Sequence, residues 1–131
     1  MFEFTAHIVS AEFDENDVLV IAFGELIDDE PRYYFMIQGM MEEDEQDRAL
    51  GLDTYYIMRE DPNTDYLGTY GGIHQIELSA TRLDVTLDKV GKKALGVSQI
   101  KIDYAIEEKA YARLPEKMKL IFGSTDCFKT T

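Results

Sequence analysis

The side chains best suited to acid–base chemistry near neutral pH are the two histidines of the chain, His7 and His74. A histidine paired with a carboxylate can serve as a general acid or base. The chain has 26 acidic residues among 131, so a carboxylate near either histidine is expected by chance alone. A small enzyme that uses His74 and an acid in a cleft therefore stays an alternative interpretation, and we predict no catalytic residue.

Metal and cofactor sites have even less support in the sequence. Zinc sites need several cysteine or histidine ligands, and the chain adds only Cys127 to its two histidines. The acidic residues 42–47 lack the central glycine and the distal glutamate of a calcium-binding EF-hand loop. Gly71 and Gly72 precede a predicted strand, whereas phosphate-binding glycines precede a helix. We expect no metal and no cofactor, and we assign the two glycines to a tight turn or a close backbone approach.

The net charge of −13 argues against two classes of partner. Nucleic acids and anionic membranes would both repel such a chain. The charge is unevenly distributed, because residues 1–88 contain four basic and 21 acidic residues, whereas residues 89–131 contain nine basic and five acidic ones. Two interpretations fit this distribution, a solubilising charge and an acidic face directed at a basic partner.

The strongest candidate for a binding surface is a run of carboxylates in the middle of the chain. Five acids occupy six positions here, where mutual repulsion is tolerable only in a solvated loop. Two methionines precede the run and two tyrosines follow it, and both residue types make large contacts at interfaces. The predicted partner-binding residues are Glu42, Glu43, Asp44, Glu45, Asp47, Tyr55 and Tyr56. The alternative is that the strand carrying the two tyrosines buries them.

The elements that must position these residues follow from hydrophobic periodicity. Alternation with a period of two, or a short run of apolar and aromatic residues, predicts a strand. Strands are predicted at residues 2–8, 18–23, 33–37, 55–58, 73–79, 82–87 and 99–104. Turn residues predict connections at 14–17, 28–31 and 61–65, and residues 39–52 are predicted to form a long acidic loop.

Two helices complete the prediction. Asp88 is suited to cap a short helix that continues through Leu95 and ends at Gly96. A second helix follows from an apolar stripe at 3.6-residue spacing, formed by Ile106, Ala110, Leu114, Met118, Ile121 and Phe122. Pro115 lies within this stripe, and because proline removes a backbone hydrogen bond we expect a kink or break at Leu114. The predicted fold is α+β: one domain over residues 1–131, with a mostly antiparallel sheet of six to eight strands and the C-terminal helix packed on one face.

The expected location is the cytoplasm. The first residues lack the basic and apolar regions of a signal peptide. The longest apolar run, residues 18–23, is too short to span a bilayer. The single cysteine cannot form an internal disulfide, so nothing indicates an oxidising compartment.

Several short segments, taken in order, form a recognisable signature. They are Gln38, Asp44-Glu45-Gln46-Asp47, Leu50-Gly51-Leu52-Asp53-Thr54-Tyr55-Tyr56-Ile57, Tyr70-Gly71-Gly72-Ile73, Ile76-Glu77-Leu78-Ser79, Leu83-Asp84-Val85 and Leu120-Ile121-Phe122-Gly123. In this order the segments resemble the immunity protein 10 family, most strongly over residues 33–87. The resemblance implies an α+β fold and a non-enzymatic, cytoplasmic antidote to a polymorphic bacterial toxin.

The expected function is therefore the binding and neutralisation of a cognate toxin domain through an acidic surface. Toxins that cut nucleic acid are often basic, so opposite charges would speed the encounter. Besides the small enzyme, a self-assembling module that exposes an edge strand is a further alternative. The sequence leaves the chemistry of the toxin and the oligomeric state open.

Overall fold

A computed structural model of the chain describes residues 2–15, 18–27, 30–40, 55–105, 108–122 and 127–130. The described residues form ten strands and two helices. The strands are β1 (Phe2–Ala6), β2 (Ile8–Phe13), β3 (Val18–Ile27), β4 (Glu30–Met40), β5 (Tyr56–Asp61), β6 (Thr64–Tyr70), β7 (Ile73–Leu78), β8 (Arg82–Leu87), β9 (Gln99–Tyr104) and β10 (Phe128–Thr130). The helices are α1 (Lys89–Leu95) and α2 (Glu108–Phe122). Neither of these two helices is long and apolar enough to cross a membrane.

The strands form two separate five-stranded sheets. Sheet A has the order β1-β9-β8-β7-β10, and sheet B has the order β2-β3-β4-β5-β6. Neighbouring strands are antiparallel except for the pairs β1–β9 and β7–β10. The mostly antiparallel pairing and the C-terminal helix are confirmed, whereas the prediction of one sheet with six to eight strands is wrong.

The chain passes from sheet A to sheet B at His7. Before it, Phe2, Phe4 and Ala6 point into the core; after it, Ile8 is exposed and Val9 packs against the core. The backbone N–H of His7 donates to the Gly24 carbonyl at 2.7 Å, which joins the new strand to β3. Because the alternation changes phase here, β1 and β2 are separate strands in different sheets. The prediction of a single strand over residues 2–8 is wrong.

The chain returns from sheet B to sheet A at Gly71 and Gly72. Both glycines have positive φ angles, 71° and 96°, which side chains other than glycine rarely adopt. The Gly71 N–H donates to the Tyr55 carbonyl at 2.8 Å, and the Gly72 carbonyl accepts from the Asp88 N–H at 2.9 Å. A Cβ atom at Gly72 would lie 2.9 Å from the Cα of Gly91 in α1. The predicted tight turn and close backbone approach are both confirmed.

Helix α1 begins and ends as the sequence predicts. The Asp88 carboxylate accepts from the Gly91 N–H at 3.0 Å and thereby caps the first turn. Gly96 has a φ angle of 72°, and its N–H donates to the Lys92 carbonyl at 2.9 Å. This left-handed glycine ends the helix.

The inner faces of the two sheets share one hydrophobic core. Its largest fully buried side chains come from both sheets and both helices: Phe23, Phe35, Phe122, Leu19, Ile21, Ile37, Ile57, Ile76, Leu78, Leu83, Leu87 and Leu95. Aromatic rings connect the sheets directly, since the ring of Tyr33 in β4 stacks on that of Phe4 in β1 with centroids 5.9 Å apart. The core therefore lies between the sheets, and each sheet keeps a second face directed away from it.

Helix α2 packs on the inner face of sheet B. Leu114, Met118 and Phe122 are buried, as the apolar stripe predicts, whereas Ile106 and the side chain of Ala110 lie outside the described residues. Ile121 meets sheet B at Gly39, where a Cβ atom would come within 2.7 Å of it. The helix continues through Pro115 without interruption, so of the predicted kink or break at Leu114 the break is wrong, and the kink stays a prediction.

Candidate functional site

The outer face of sheet A is polar and charged. Cross-strand partners point to the same side of a sheet, and one row of partners runs across all five strands: Lys129, Glu77, Asp84, Lys101 and Glu3. A depression of about 110 Å³ lies on this sheet beside Ser79 and Arg82, well below the roughly 300 Å³ at which small-molecule sites begin. Asp84 departs from this pattern, because its Oδ1 is buried beside the depression with no hydrogen-bond partner among the described residues. The rest of the face has the pattern of a solvated sheet surface.

The outer face of sheet B has a different character. Alternate residues of its strands β4, β5 and β6 lie on this side and are rich in tyrosine and methionine. The set, called here the tyrosine–methionine face, consists of Tyr34, Met36, Tyr56, Met58, Tyr66 and Tyr70. Tyr66 is 65% exposed and Tyr70 48%. Tyrosine and methionine are the residue types that make large, adaptable contacts in protein interfaces.

Two tyrosine side chains on this face contact glycines of neighbouring strands. The Tyr34 ring is 3.6 Å from the position that a Cβ atom would take at Gly24. A Cβ atom at Gly68 would overlap the hydroxyl oxygen of Tyr56, so the Tyr56 side chain extends across β6 at this glycine. Its ring centroid is 5.1 Å from that of Tyr70. A Cβ atom would fit at Gly24 but not at Gly68, so only Gly68 is required for the observed position of a ring, that of Tyr56.

The electrostatics of these tyrosines agree with their packing. Partial burial raises the pKa of Tyr56, and the neighbouring hydroxyls of Tyr66 and Tyr70 raise it further. Burial also raises the pKa of Tyr34, with a contribution from the carboxylate of Glu60, its partner across the strands. The hydroxyls of Tyr34 and Tyr56 are therefore neutral at physiological pH and can donate hydrogen bonds.

The negative charge belongs mainly to the half of the chain that forms sheet B. Residues 8–70, which include strands β2 to β6 and their connections, contain 17 acidic and three basic residues, a formal charge of −14. Residues 71–131 contain ten basic and eight acidic residues. The tyrosine–methionine face is thus part of a strongly acidic half, and the rest of the chain is nearly neutral.

The two tyrosines predicted as contacts lie on opposite sides of sheet B. Tyr56 belongs to the tyrosine–methionine face, whereas Tyr55 makes internal contacts. The Tyr55 ring packs edge-on against Phe122 with centroids 4.9 Å apart. Its hydroxyl accepts from the Ile73 N–H at 2.9 Å and donates to the Ile73 carbonyl at 3.5 Å. Both stay predicted contact residues, and the geometry favours Tyr56.

Tyr55 should make the stability of the protein depend on pH in the alkaline range. Burial raises the pKa of Tyr55 to about 12. Above about pH 10 the unfolded chain loses this proton first, so the free energy of unfolding should fall between about pH 10 and pH 12. After allowance for solvent screening of this partly exposed group, we expect Tyr55 to account for a loss of about 1 kcal/mol.

Urea unfolding of the wild type and of Tyr55→Phe across this pH range measures the effect. The phenylalanine variant should start about 1 kcal/mol less stable at neutral pH, because it loses the hydrogen bond from Ile73. It should then lose less stability than the wild type as the pH rises. Parallel curves for the two proteins would contradict the assignment.

The remaining predicted site residues do not gather into a second site. Glu42, Glu43, Asp44, Glu45 and Asp47 lie outside the described residues. The described residues on either side of this segment are Met40 and Tyr55. Both lie at the same end of sheet B as Tyr56 and Tyr70. His7 and His74 are both exposed, so neither forms the buried histidine–carboxylate pair that would favour the enzyme interpretation. Within the described segments, no three acidic, histidine or cysteine side chains are placed to hold a metal ion.

Sequence reasoning missed most of the tyrosine–methionine face. Tyr34, Met36 and Met58 are not predicted as contact residues, and residues 66–73, which include Tyr66 and Tyr70, are only the second choice of surface after the acidic run. The sequence does contain a signal for this face: in residues 33–37 and 55–58, apolar and aromatic residues occupy the positions of both sides of the strand. An antiparallel sheet with one solvent-facing side normally alternates apolar with polar residues, so apolar residues on both sides point to a covered second face.

Comparison with known proteins adds one finding. The family model described as immunity protein 10 matches residues 5–112, which include all of sheet B and the glycine turn at Gly71 and Gly72. Neither the curated proteins nor the solved structures provide a match. The matched residues are most of the chain and carry all of the signature segments except the last, residues 120–123, which lies beyond the match. The chain belongs to the immunity protein 10 family.

Proposed function

We propose that this chain binds a cognate polymorphic toxin domain in the cytoplasm and neutralises it without catalysis of its own. Membership of an immunity protein family supports a role against toxins, and such proteins generally act as inhibitors rather than enzymes. The observation that carries the proposal is the contrast between the two outer faces. Sheet A presents charges to solvent, whereas sheet B presents tyrosines, of which Tyr66 and Tyr70 are exposed, beside the half-buried Met58 and the buried Met36, within an acidic half of the chain.

The tyrosine–methionine face is the proposed contact surface, and the acidic residues 42–47 are its proposed charged rim. Apolar and aromatic groups in the centre of an interface supply most of the binding free energy. Charged groups at the rim act mainly on the association rate, because they attract the partner over a distance. The proposed partner is a basic domain, for which a nuclease is one example.

The test uses the toxin domain encoded beside the gene. Wild-type protein should bind it and protect cells that express it, and a wild type that does neither would refute the proposal. Replacing Glu42, Glu43 and Glu45 by glutamine and Asp44 by asparagine should slow association roughly tenfold at low salt. The rate should also depend less on salt, because screening beyond about 8 Å already weakens such attraction at physiological ionic strength.

A matched control separates the rim from the net charge. Amide replacement of Glu3, Glu77, Asp84 and Asp103 also removes four negative charges, but from the outer face of sheet A. Stopped-flow binding at several salt concentrations should show a much smaller effect for this control. Thermal stability of the rim variant should be unchanged or slightly higher, since repulsion is relieved. An equal rate and salt slope in wild type and rim variant would make residues 42–47 a solubilising segment only.

A further inference from the structure

Three tyrosines form a cradle at the β6 edge of sheet B. Tyr66, Gly68 and Tyr70 occupy alternate positions of β6 and therefore lie on the same outer face. Tyr56 reaches over from β5 at the central glycine, with its hydroxyl where a Cβ of Gly68 would be. The result is a central ring flanked by two exposed ones, with the Tyr56 and Tyr70 rings inclined at 59°. This cluster is called the tyrosine cradle.

The chemistry of the cradle favours a cation. The face of an aromatic ring carries a negative partial charge and attracts an ammonium or guanidinium group within about 6 Å. The formal charge of −14 on residues 8–70 adds long-range attraction of the same sign. Phosphates of a nucleic acid would be repelled, and an apolar side chain would gain nothing from the charge.

The two strands of the cradle supply no cation of their own. Arg59 is the one lysine or arginine between residues 49 and 81. It lies on the inner side of β5, where its Nε donates to the Leu95 carbonyl at 2.6 Å and its Nη1 to Asp61 at 3.0 Å. Arg59 is therefore engaged in the core and is not available to the cradle.

The negative charge of residues 8–70 also indicates which kind of molecule supplies the cation. A second copy of this chain docked through the same face would bring two acidic halves together, and their repulsion would oppose such a dimer. A basic protein domain has the complementary charge. We infer that the tyrosine cradle binds an arginine or lysine side chain of the toxin domain; this inference rests on the proposed function.

A substitution series at Tyr66 and Tyr70 tests the inference by calorimetric titration with the toxin domain. Phenylalanine keeps the aromatic face and should leave the Kd within about threefold of the wild type. Leucine keeps the apolar bulk but removes the ring, so Tyr66→Leu with Tyr70→Leu should weaken binding about tenfold or more. Tyr66→Lys places a like charge against the incoming cation and should weaken binding more than the double leucine variant.

Two controls make the outcomes distinct. Tyr34→Leu makes the same change on the same face outside the cradle, and its effect should be smaller than that of the double leucine variant. Melting temperatures should stay close to that of the wild type, because Tyr66 and Tyr70 are largely exposed. If the wild type fails to bind the toxin, the proposed function and the inference fall together. If the wild type binds and the leucine variants bind equally well, or Tyr66→Lys binds more tightly, only the inference is wrong.

Discussion

Replacing Arg59 with alanine should lower the free energy of unfolding by about 3 kcal/mol. The Arg59 side chain joins three parts of the fold from within the core, where the residue is only 7% exposed. It donates to the Leu95 carbonyl at the end of α1 and to the carboxylate of Asp61, and its guanidinium lies 4.9 Å from the centroid of the Phe2 ring. Removal leaves a cavity and takes the cationic partner from a partly buried carboxylate.

Asp61 keeps the hydrogen bond from the Asn63 N–H at 2.8 Å, which places the expected loss at the lower end for a broken buried ion pair. The matched control is Arg82→Ala. Arg82 pairs with Asp103 at 2.8 Å, but both side chains are 45% exposed, so its loss should be much smaller. Urea unfolding measures both variants, and Arg59→Ala should also lower the Tm by about 10 °C. Equal losses would show that the core position of Arg59 has no special importance.

Gly91→Ala should destabilise the protein by about 2 kcal/mol, although it introduces a better helix former. In an ordinary helix interior this change gains about 1 kcal/mol. Here a Cβ atom would overlap the Gly72 carbonyl oxygen and lie 3.1 Å from the Cβ of Leu87. The oxygen belongs to the backbone and accepts from the Asp88 N–H, so it cannot rotate away without the loss of that hydrogen bond.

Val90→Ala is the control within the same helix. Val90 is exposed, so its replacement should leave the stability unchanged or raise it by a few tenths of a kcal/mol through helix propensity. Urea unfolding followed by circular dichroism compares the two variants. A Gly91→Ala protein as stable as Val90→Ala would mean that α1 can move away from the glycine turn without cost.

Features that depend on neighbouring residues were predictable from the sequence. The Asp88 cap, the left-handed Gly96 and the turn at Gly71 and Gly72 follow from the chemistry of one or two residues and are confirmed. The apolar stripe of α2 likewise identifies Leu114 and Met118 as core residues. Proline propensity alone was a poor guide, since α2 continues through Pro115 where packing on both sides supports it.

The sequence by itself determined seven of the ten described strands, the two helices, the caps of α1 and the acidic balance, because periodicity, capping and charge are properties of short stretches. It missed β2, β6 and β10. Only the tertiary structure decided the division into two sheets, since the phase change at His7 is a single residue within an unbroken apolar alternation. It also decided which apolar face stays open and that Tyr56 joins Tyr66 and Tyr70. That cluster depends on the register of β5 against β6 and on Gly68 beneath a ring twelve residues away in sequence. Such pairings are set by the packing of the whole chain, which short-range patterns do not contain.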